Sequence, residues 1–478
     1  MSLEKKLVAL ALFACNSMGA VEITIVTTAI PSIVKDLSGF NLSSYVFSIF
    51  LLTSAIATTM FGKLSDIYGK KKLLQISIVI FLVGSLLCGL SKSMVFLIIA
   101  RGIQGLGSGA LSTLTMAVIG DVFDVEERAM ITGYNSTVWS IASLIAPMLG
   151  GLILMRFTWH WIFYINIPVG ILSMILIQKS YKFKETKSSD SLDVKGLTLM
   201  TLFVICVIQA MSGFEKHPFL SINVLGLLAL SAVFLVIFVK VEKTVESPVL
   251  PYQLFSKEIM IIMIITFLNS IVLIAMDVYN PSFMQTVQGH SPMMSTVPIV
   301  PLSSMWVLSS FLLSRIISRY STKAILIGSL SVLAAGVLGL VMLTPSSSPW
   351  HMGIASGVIG FGFGGSFNML LFIVQETLSK EDMGMASGSV MFVRTLGQTL
   401  GISAFGLLLN NSITKYFSNI GISVDTSTLL SDKSLKAVDL VKSQFAGYNN
   451  IYIACLILGV LCVVITGLLP GKKKLNSY

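Results

Sequence analysis

Charge is scarce in this chain: Asp, Glu, Lys and Arg together make up 11% of its 478 residues, while 54% are hydrophobic and the mean hydropathy is +0.88. That balance excludes an ordinary water-soluble domain, because there is too little polar surface to clothe a core of this size. Cysteine and histidine are sparse as well. Cys15, Cys88, Cys206, Cys455 and Cys462 all fall in or at the ends of apolar runs, with no spacing that makes a disulfide framework or a metal site. His160, His217, His290 and His351 lie far apart, which argues against a metal centre built from them. There is no glycine-rich phosphate-binding loop, so chemistry on ATP is disfavoured. No catalytic constellation and no appended soluble domain stand out, and the chain does not read as an enzyme.

What is present is a series of apolar runs of about 20 residues, the length needed to cross a bilayer as a helix. Inside lipid no water satisfies the backbone, so a chain of such runs spans as helices. The fold class is therefore all-α and polytopic. Fourteen spans are predicted between residues 7 and 470, with 196–213 and 219–240 the most closely spaced pair, separated only by Gly213 to Pro218. The first run is too long for a signal-peptide core and has no small-residue cleavage site, so it is expected to stay as the first helix. Basic residues cluster in alternate loops, among them Lys63, Lys70 to Lys72, Lys179, Lys182, Arg315, Arg319 and Lys472 to Lys474. The positive-inside rule then places both termini in the cytoplasm. Topology and anionic lipid head groups account for the net charge of +10, and no nucleic-acid partner is needed.

An internal repeat organises the chain. At one offset of 255, Gly105, Gly107 and Gly109 fall on Gly360, Gly362 and Gly364, Gly133 on Gly388, and Gly151 on Gly406. A shift of 252 brings Lys63, Tyr68 and Lys71 onto Arg315, Tyr320 and Lys323, with Ser318 at Asp66 and Ser321 at Gly69. The expected division is residues 1–180 as one six-helix bundle, 181–257 as an inserted two-helix hairpin, and 258–478 as a second six-helix bundle carrying a long external loop over 410–450. The shift of 255 also pairs Glu22 with Asp277, the two acids well inside apolar spans. An intramembrane charge costs at least about 2.5 kcal/mol, so such groups are functional candidates unless they reach interfacial water near a helix end. Glu22 lies in the outer half of its span and Asp277 about four residues from the end of the run 259–281. Arg101, in a span of opposite direction, sits at a depth similar to that of Glu22, so the two can interact directly or through Gln104 and water. Arg394 is near mid-depth in its own span, where it either positions helices or meets anionic groups.

Several motifs carry a resemblance. Gly62-Lys-Leu-Ser-Asp66-Ile-Tyr-Gly69-Lys-Lys-Lys72 resembles the signature loop between the second and third helices of the major facilitator superfamily; its bland alternative is a plain basic turn. Arg101-Gly-Ile-Gln104-Gly105-Leu-Gly107-Ser-Gly109-Ala is similar to that family's fourth-helix motif, although small residues alone also serve close helix packing. Ala146-Pro147-Met-Leu-Gly150-Gly151 resembles the antiporter motif of its exporters, with Ala146 where glycine is usual. The stretches Trp159 to Gly170 and Glu22 to Pro31 resemble hallmarks of the fourteen-helix drug:proton antiporter branch, in which the first-helix acid is commonly Asp. The plainer reading of Pro31 is a proline that ends its helix.

The resemblance implies two pseudo-symmetric six-helix bundles plus a hairpin, and export of amphipathic or cationic drugs by alternating access. It implies protons as coupling ion with no other cofactor, drug and lipid as partners, and action as a monomer in a bacterial cell membrane. Glu22, Asp277, Arg101, Gln104 and Arg394 would serve proton and substrate, and Gly62, Asp66, Gly69, Pro147, Gly150 and Gly151 would serve gating. A dedicated exporter or flippase of a metabolite, a lipid or one antibiotic such as tetracycline is the alternative. A non-transporting membrane sensor or enzyme is the remote one.

Overall fold

The computed structural model describes residues 1–182, 194–216, 222–242, 256–317, 319–377, 383–422 and 436–469. Its helices are α1 (Leu3–Leu37), α2 (Ser43–Tyr68), α3 (Lys70–Gly89), α4 (Met94–Val122), α5 (Val125–Arg156), α6 (Trp161–Tyr164), α7 (Asn166–Ser180), α8 (Val194–Lys216), α9 (Ile222–Glu242), α10 (Lys257–Thr286), α11 (Ile299–Ile316), α12 (Thr322–Val341), α13 (Pro349–Thr377), α14 (Met383–Asn419) and α15 (Ala437–Thr466). Among the described residues no strand occurs, and thirteen helical stretches are long and apolar enough to cross a membrane. A fourteenth, at the expected seventh span, shows only the shorter apolar piece Thr198–Val207 within α8. Large apolar side chains such as Ile99, Phe311, Met342 and Val464 stand on the outside, as they do when the solvent is lipid.

The chain forms two compact units. The first comprises Met1–Ser38, Leu42–Val207 and Gly226–Val249, and the second Gly39–Asn41, Ile208–Leu225 and Leu250–Tyr478. In the first unit α4 lies against α2 and α3, while α1 packs on α5, α7 and α4. The second unit repeats this plan with α13 against α11 and α12, and α10 against α14 and α15. The repeated glycines explain why. A methyl group on Gly105 or Gly109 would run into the α2 backbone at Phe50 and Ser54, and one on Gly107 into α3 at Phe81. Gly360 and Gly364 press in the same way on α11 at Leu302 and Trp306, and Gly362 on α12 at Leu333.

Valine at Gly107 or Gly362 is therefore expected to lower the melting midpoint of the purified protein, since overpacking costs about 1–3 kcal/mol even where side chains rather than backbone are in the way. Alanine at Gly120 is the control, because nothing lies within 4 Å of its added carbon.

One plainer alternative and two expectations need correction. Pro31 does not end its helix, since α1 continues to Leu37, and Pro147 and Pro281 also lie inside helices. The span holding Asp277 does not stop at 281: α10 runs to Thr286, which puts Asp277 about 14 Å from that end at roughly 1.5 Å per residue. The loop expected over 410–450 is largely helix, since α14 runs on to Asn419 and α15 begins at Ala437. Packing between the two helices stabilises these extensions. Phe417 and Tyr448 are buried, the Tyr416 hydroxyl donates to Asp439, and Asn450 donates to Ser412 Oγ at 3.0 Å. Part of the predicted amphipathic stretch 432–445 lies outside the described residues.

Candidate functional site

Glu22 sits about 28 Å along α1 from Leu3 at roughly 1.5 Å per residue, and its side chain is fully buried. Arg101 enters from the first third of α4, also at 0% exposure. Arg101 Nη1 donates to Glu22 Oε1 at 2.5 Å and to Gln104 Oε1 at 2.7 Å. Arg101 Nε donates to the Val46 carbonyl at 3.1 Å, and the guanidinium lies 4.0 Å from the centre of the Phe50 ring. The spacing of Arg101 and Gln104 on α4 puts both on one helix face, so one side chain can brace the other.

The second carboxylate oxygen is held from a different helix. Asn166, the first residue of α7, donates through Nδ2 to Glu22 Oε2 at 2.7 Å, and Gln104 Nε2 donates to Ser85 Oγ of α3 at 2.7 Å. Each oxygen of Glu22 thus faces a donor, and α1, α2, α3, α4 and α7 close the pair off from solvent. One nitrogen, Arg101 Nη2, is buried with no hydrogen-bond partner. Loss of water penalises both charges, and only their mutual attraction and these hydrogen bonds offset the penalty. Sequence reasoning misses Asn166 and Ser85, although Asn166 lies inside the stretch Trp159 to Gly170. The available signal is an amide in an apolar span, where an unbonded polar group is costly. In the same stretch Trp159 donates from Nε1 to Asp36 at 2.9 Å, fastening this segment to the end of α1.

The remaining predicted residues are spread out. Asp277 and Arg394 both belong to the second unit, on α10 and α14, and make no ion pair among the described residues. Arg394 instead lies over the rings of Phe367 and Trp306. Ser356 occupies the place of Arg101 at the shift of 255, and it accepts a hydrogen bond from Asn280 at 3.2 Å. The second unit thus keeps the packing plan and the acid, Asp277, but has the neutral Ser356 where Arg101 stands. Gly62 faces Thr113 of α4, and Gly69, at φ 96°, makes the sharp turn between α2 and α3 that only glycine adopts freely. Gly150 lets α5 approach Thr28 and Ile25 of α1, with Pro147 and Gly151 buried beside it. The side chain of Asp66 lies outside the described ones. Among the described residues no group of three His, Cys, Asp or Glu could hold a metal ion.

At the opposite end of the first unit, Lys5 of α1 pairs with Glu127 at 2.5 Å and Asp124 at 3.0 Å, and Lys70 with Asp121 at 2.6 Å. The hydrogen bond from Lys5 holds the Glu127 carboxyl below its ordinary value of 4.5. A carboxyl with a depressed folded-state pKa contributes stability above its unfolded pKa and loses it as the pH falls through the folded value. Glu127→Gln should accordingly lower the melting midpoint at pH 7, and the difference from the unchanged protein should vanish well below pH 4.5.

The sequence of residues 12–402 matches the profile of the Major Facilitator Superfamily. The chain is 31% identical over 431 residues to the multidrug transporter protein MdtP of Bacillus subtilis (strain 168), covering 90% of this chain and 77% of that protein. It is 34% identical over 413 residues to the multidrug efflux pump SdrM of Staphylococcus aureus (strain N315), covering 85% and 90%. In three dimensions it is similar to a bacterial homologue of the human lysosomal transporter Spinster in an inward-facing, unoccupied conformation, with a TM-score of 0.68, 13% identity, and coverage of 98% and 97%. It is also similar to a D-xylose-proton symporter, with a TM-score of 0.64, 15% identity, and coverage of 98% and 99%. With the repeated glycine plan, the many spans and the profile match in agreement, the chain belongs to the Major Facilitator Superfamily and is a multi-pass membrane transporter rather than an enzyme.

Proposed function

We propose that the protein exports small organic drugs from the cell in exchange for protons, with Glu22 as the proton-carrying group. The observation that carries this reading is the sealed pair: a carboxylate at 0% exposure whose charge is balanced by Arg101 and whose second oxygen is bonded by Asn166. Ionised, Glu22 balances the charge of Arg101 and accepts from Asn166. Protonated, it leaves the buried guanidinium without a counter-charge, and a buried unpaired charge is strongly unfavourable. Proton loading therefore drives rearrangement of α1 against α4, and release of the proton from Glu22 restores the closed pair.

The names of the relatives, a multidrug transporter protein and a multidrug efflux pump, support drugs as the cargo. We place the protein in a bacterial cell membrane with both termini cytoplasmic, acting as a monomer by alternating access. Protons are the coupling ion and no other cofactor is involved. One proton moving inward contributes about 2.3 kcal/mol per 100 mV, which supports more than tenfold accumulation.

Dose-response profiles in cells lacking other pumps test the reading. Resistance to several chemically unrelated drugs, with drug retention rising when an uncoupler collapses the proton gradient, is the expected result. Resistance to a single compound would favour a dedicated exporter. Export that persists after the gradient is collapsed would overturn proton coupling.

A further inference from the structure

The second unit holds a cation that the exchange mechanism does not use. Arg394 lies about 16 Å from the start of α14, and Trp306 and Phe367 lie about 15 Å from the ends of α11 and α13, at roughly 1.5 Å per residue. The three meet at one depth. Trp306 and Phe367 are stacked, with ring centres 5.4 Å apart and planes 8° from parallel, and Phe363 packs against both at 5.5 Å and 5.7 Å. The Arg394 guanidinium carbon sits 4.5 Å from the Phe367 ring centre and 5.4 Å from that of Trp306.

Cation–π contact fixes where the guanidinium lies but uses none of its N–H groups. Among the described residues Arg394 makes no hydrogen bond and no ion pair, and its side chain is partly open. Asp277 is the acid whose charge reaches it, yet the two do not pair. A guanidinium carries five donors in a rigid fork that matches a carboxylate through two parallel hydrogen bonds. Leaving all five unpaired at mid-membrane depth is unfavourable unless something else accepts from them.

We propose that Arg394, Trp306 and Phe367 form a docking site for flat aromatic carboxylates, the carboxylate taking the open edge of the guanidinium and the ring extending the aromatic stack. The inference deepens the export reading by naming a substrate class, but its binding step is measured without transport, so the two can fail separately. Lysine at this position keeps the charge and loses the planar fork, and neutral aromatic ligands gain nothing from either.

Purified wild-type protein is titrated with 2-naphthoate, with 2-naphthamide as the uncharged analogue and with ethidium as a flat cation, by calorimetry. At least tenfold tighter binding of 2-naphthoate than of 2-naphthamide is expected. Arg394→Lys should weaken 2-naphthoate at least tenfold while changing ethidium less than twofold, with the melting midpoint unchanged. Equal binding of naphthoate and naphthamide to the wild type would overturn the site without reliance on any variant. So would Arg394→Lys that binds naphthoate as the wild type does, or that loses all ligands alike. Ethidium-driven proton exchange by the wild type is recorded in parallel, and its loss would count against the export reading alone.

Discussion

Glu22→Gln is expected to abolish drug-driven proton exchange while leaving a protein that still inserts in the membrane. Glutamine is nearly isosteric, and its carbonyl can still accept from Arg101 Nη1, so the shape of the site survives. What goes is the titratable charge. Its amide cannot carry a proton, and its Nε2 would meet the Nδ2 donor of Asn166 where the carboxylate oxygen now accepts. The guanidinium of Arg101, fully buried, then has no counter-charge, and this costs part of the several kcal/mol that breaking a buried pair carries. A melting midpoint lower by several degrees is therefore expected alongside the functional loss, a cost that depth along a helix alone does not reveal. Export of cationic drugs should suffer more than export of neutral ones. Asp277→Asn should be milder, because Asp277 closes no ion pair with Arg394. Concentrative export by Glu22→Gln at wild-type rates would remove Glu22 from the coupling role and make Asp277 the next residue to test.

Arg101→Leu should be the most destabilising single change in the first unit. It strips Glu22 of its cation in a site closed to solvent, and it also removes a donor to Gln104 and to the Val46 carbonyl. A loss of about 3–5 kcal/mol is the usual scale for orphaning one partner of a buried pair. The double variant Glu22→Gln, Arg101→Leu removes both charges, so most of the loss should return, as expected when two residues act through one interaction. Melting midpoints and monodispersity of the four proteins measure this cycle. If the two single losses simply add in the double variant, the pair is not the unit described here. Recovered folding in the double variant should come without recovered proton exchange.

Much of the fold and half of the site are legible in the amino-acid sequence, for physical reasons. Apolar runs announce spans because lipid leaves no other way to satisfy a backbone. The glycines at one offset announce a duplicated packing plan because each one meets a neighbouring helix backbone. Counting residues along two antiparallel helices brings Glu22 and Arg101 to a similar depth, since rise per residue is fixed, and so makes their meeting possible. Ser85 and the Val46 carbonyl are not legible, because small hydroxyls and backbone oxygens carry no pattern in the sequence and are recruited by three-dimensional proximity, while Asn166 stands out only as an amide in an apolar span, with nothing to name its partner. The pairing of Glu22 with Asp277 by repeat offset is only half informative. Helix packing persists between repeats, but Ser356 stands where Arg101 would be, so the second acid lacks the first one's partner. Helix extension past the apolar stretch at Asn419 and Ala437 escapes a hydropathy reading, because contacts such as Tyr416 with Asp439 favour helix formation without adding hydrophobicity.

A single buried carboxyl that answers to both proton and drug must give up its proton as the drug binds, and proton release from purified protein in lightly buffered detergent tests this without any gradient. The drug is first chosen from those to which the protein confers resistance, and its binding to both proteins is confirmed separately. Saturating wild-type protein with that drug should release on the order of one proton for each molecule bound near the pH at which Glu22 titrates, as exchange at a single titratable group requires. Glu22→Gln should bind the drug and release none. Equal proton release from the two proteins would contradict the account.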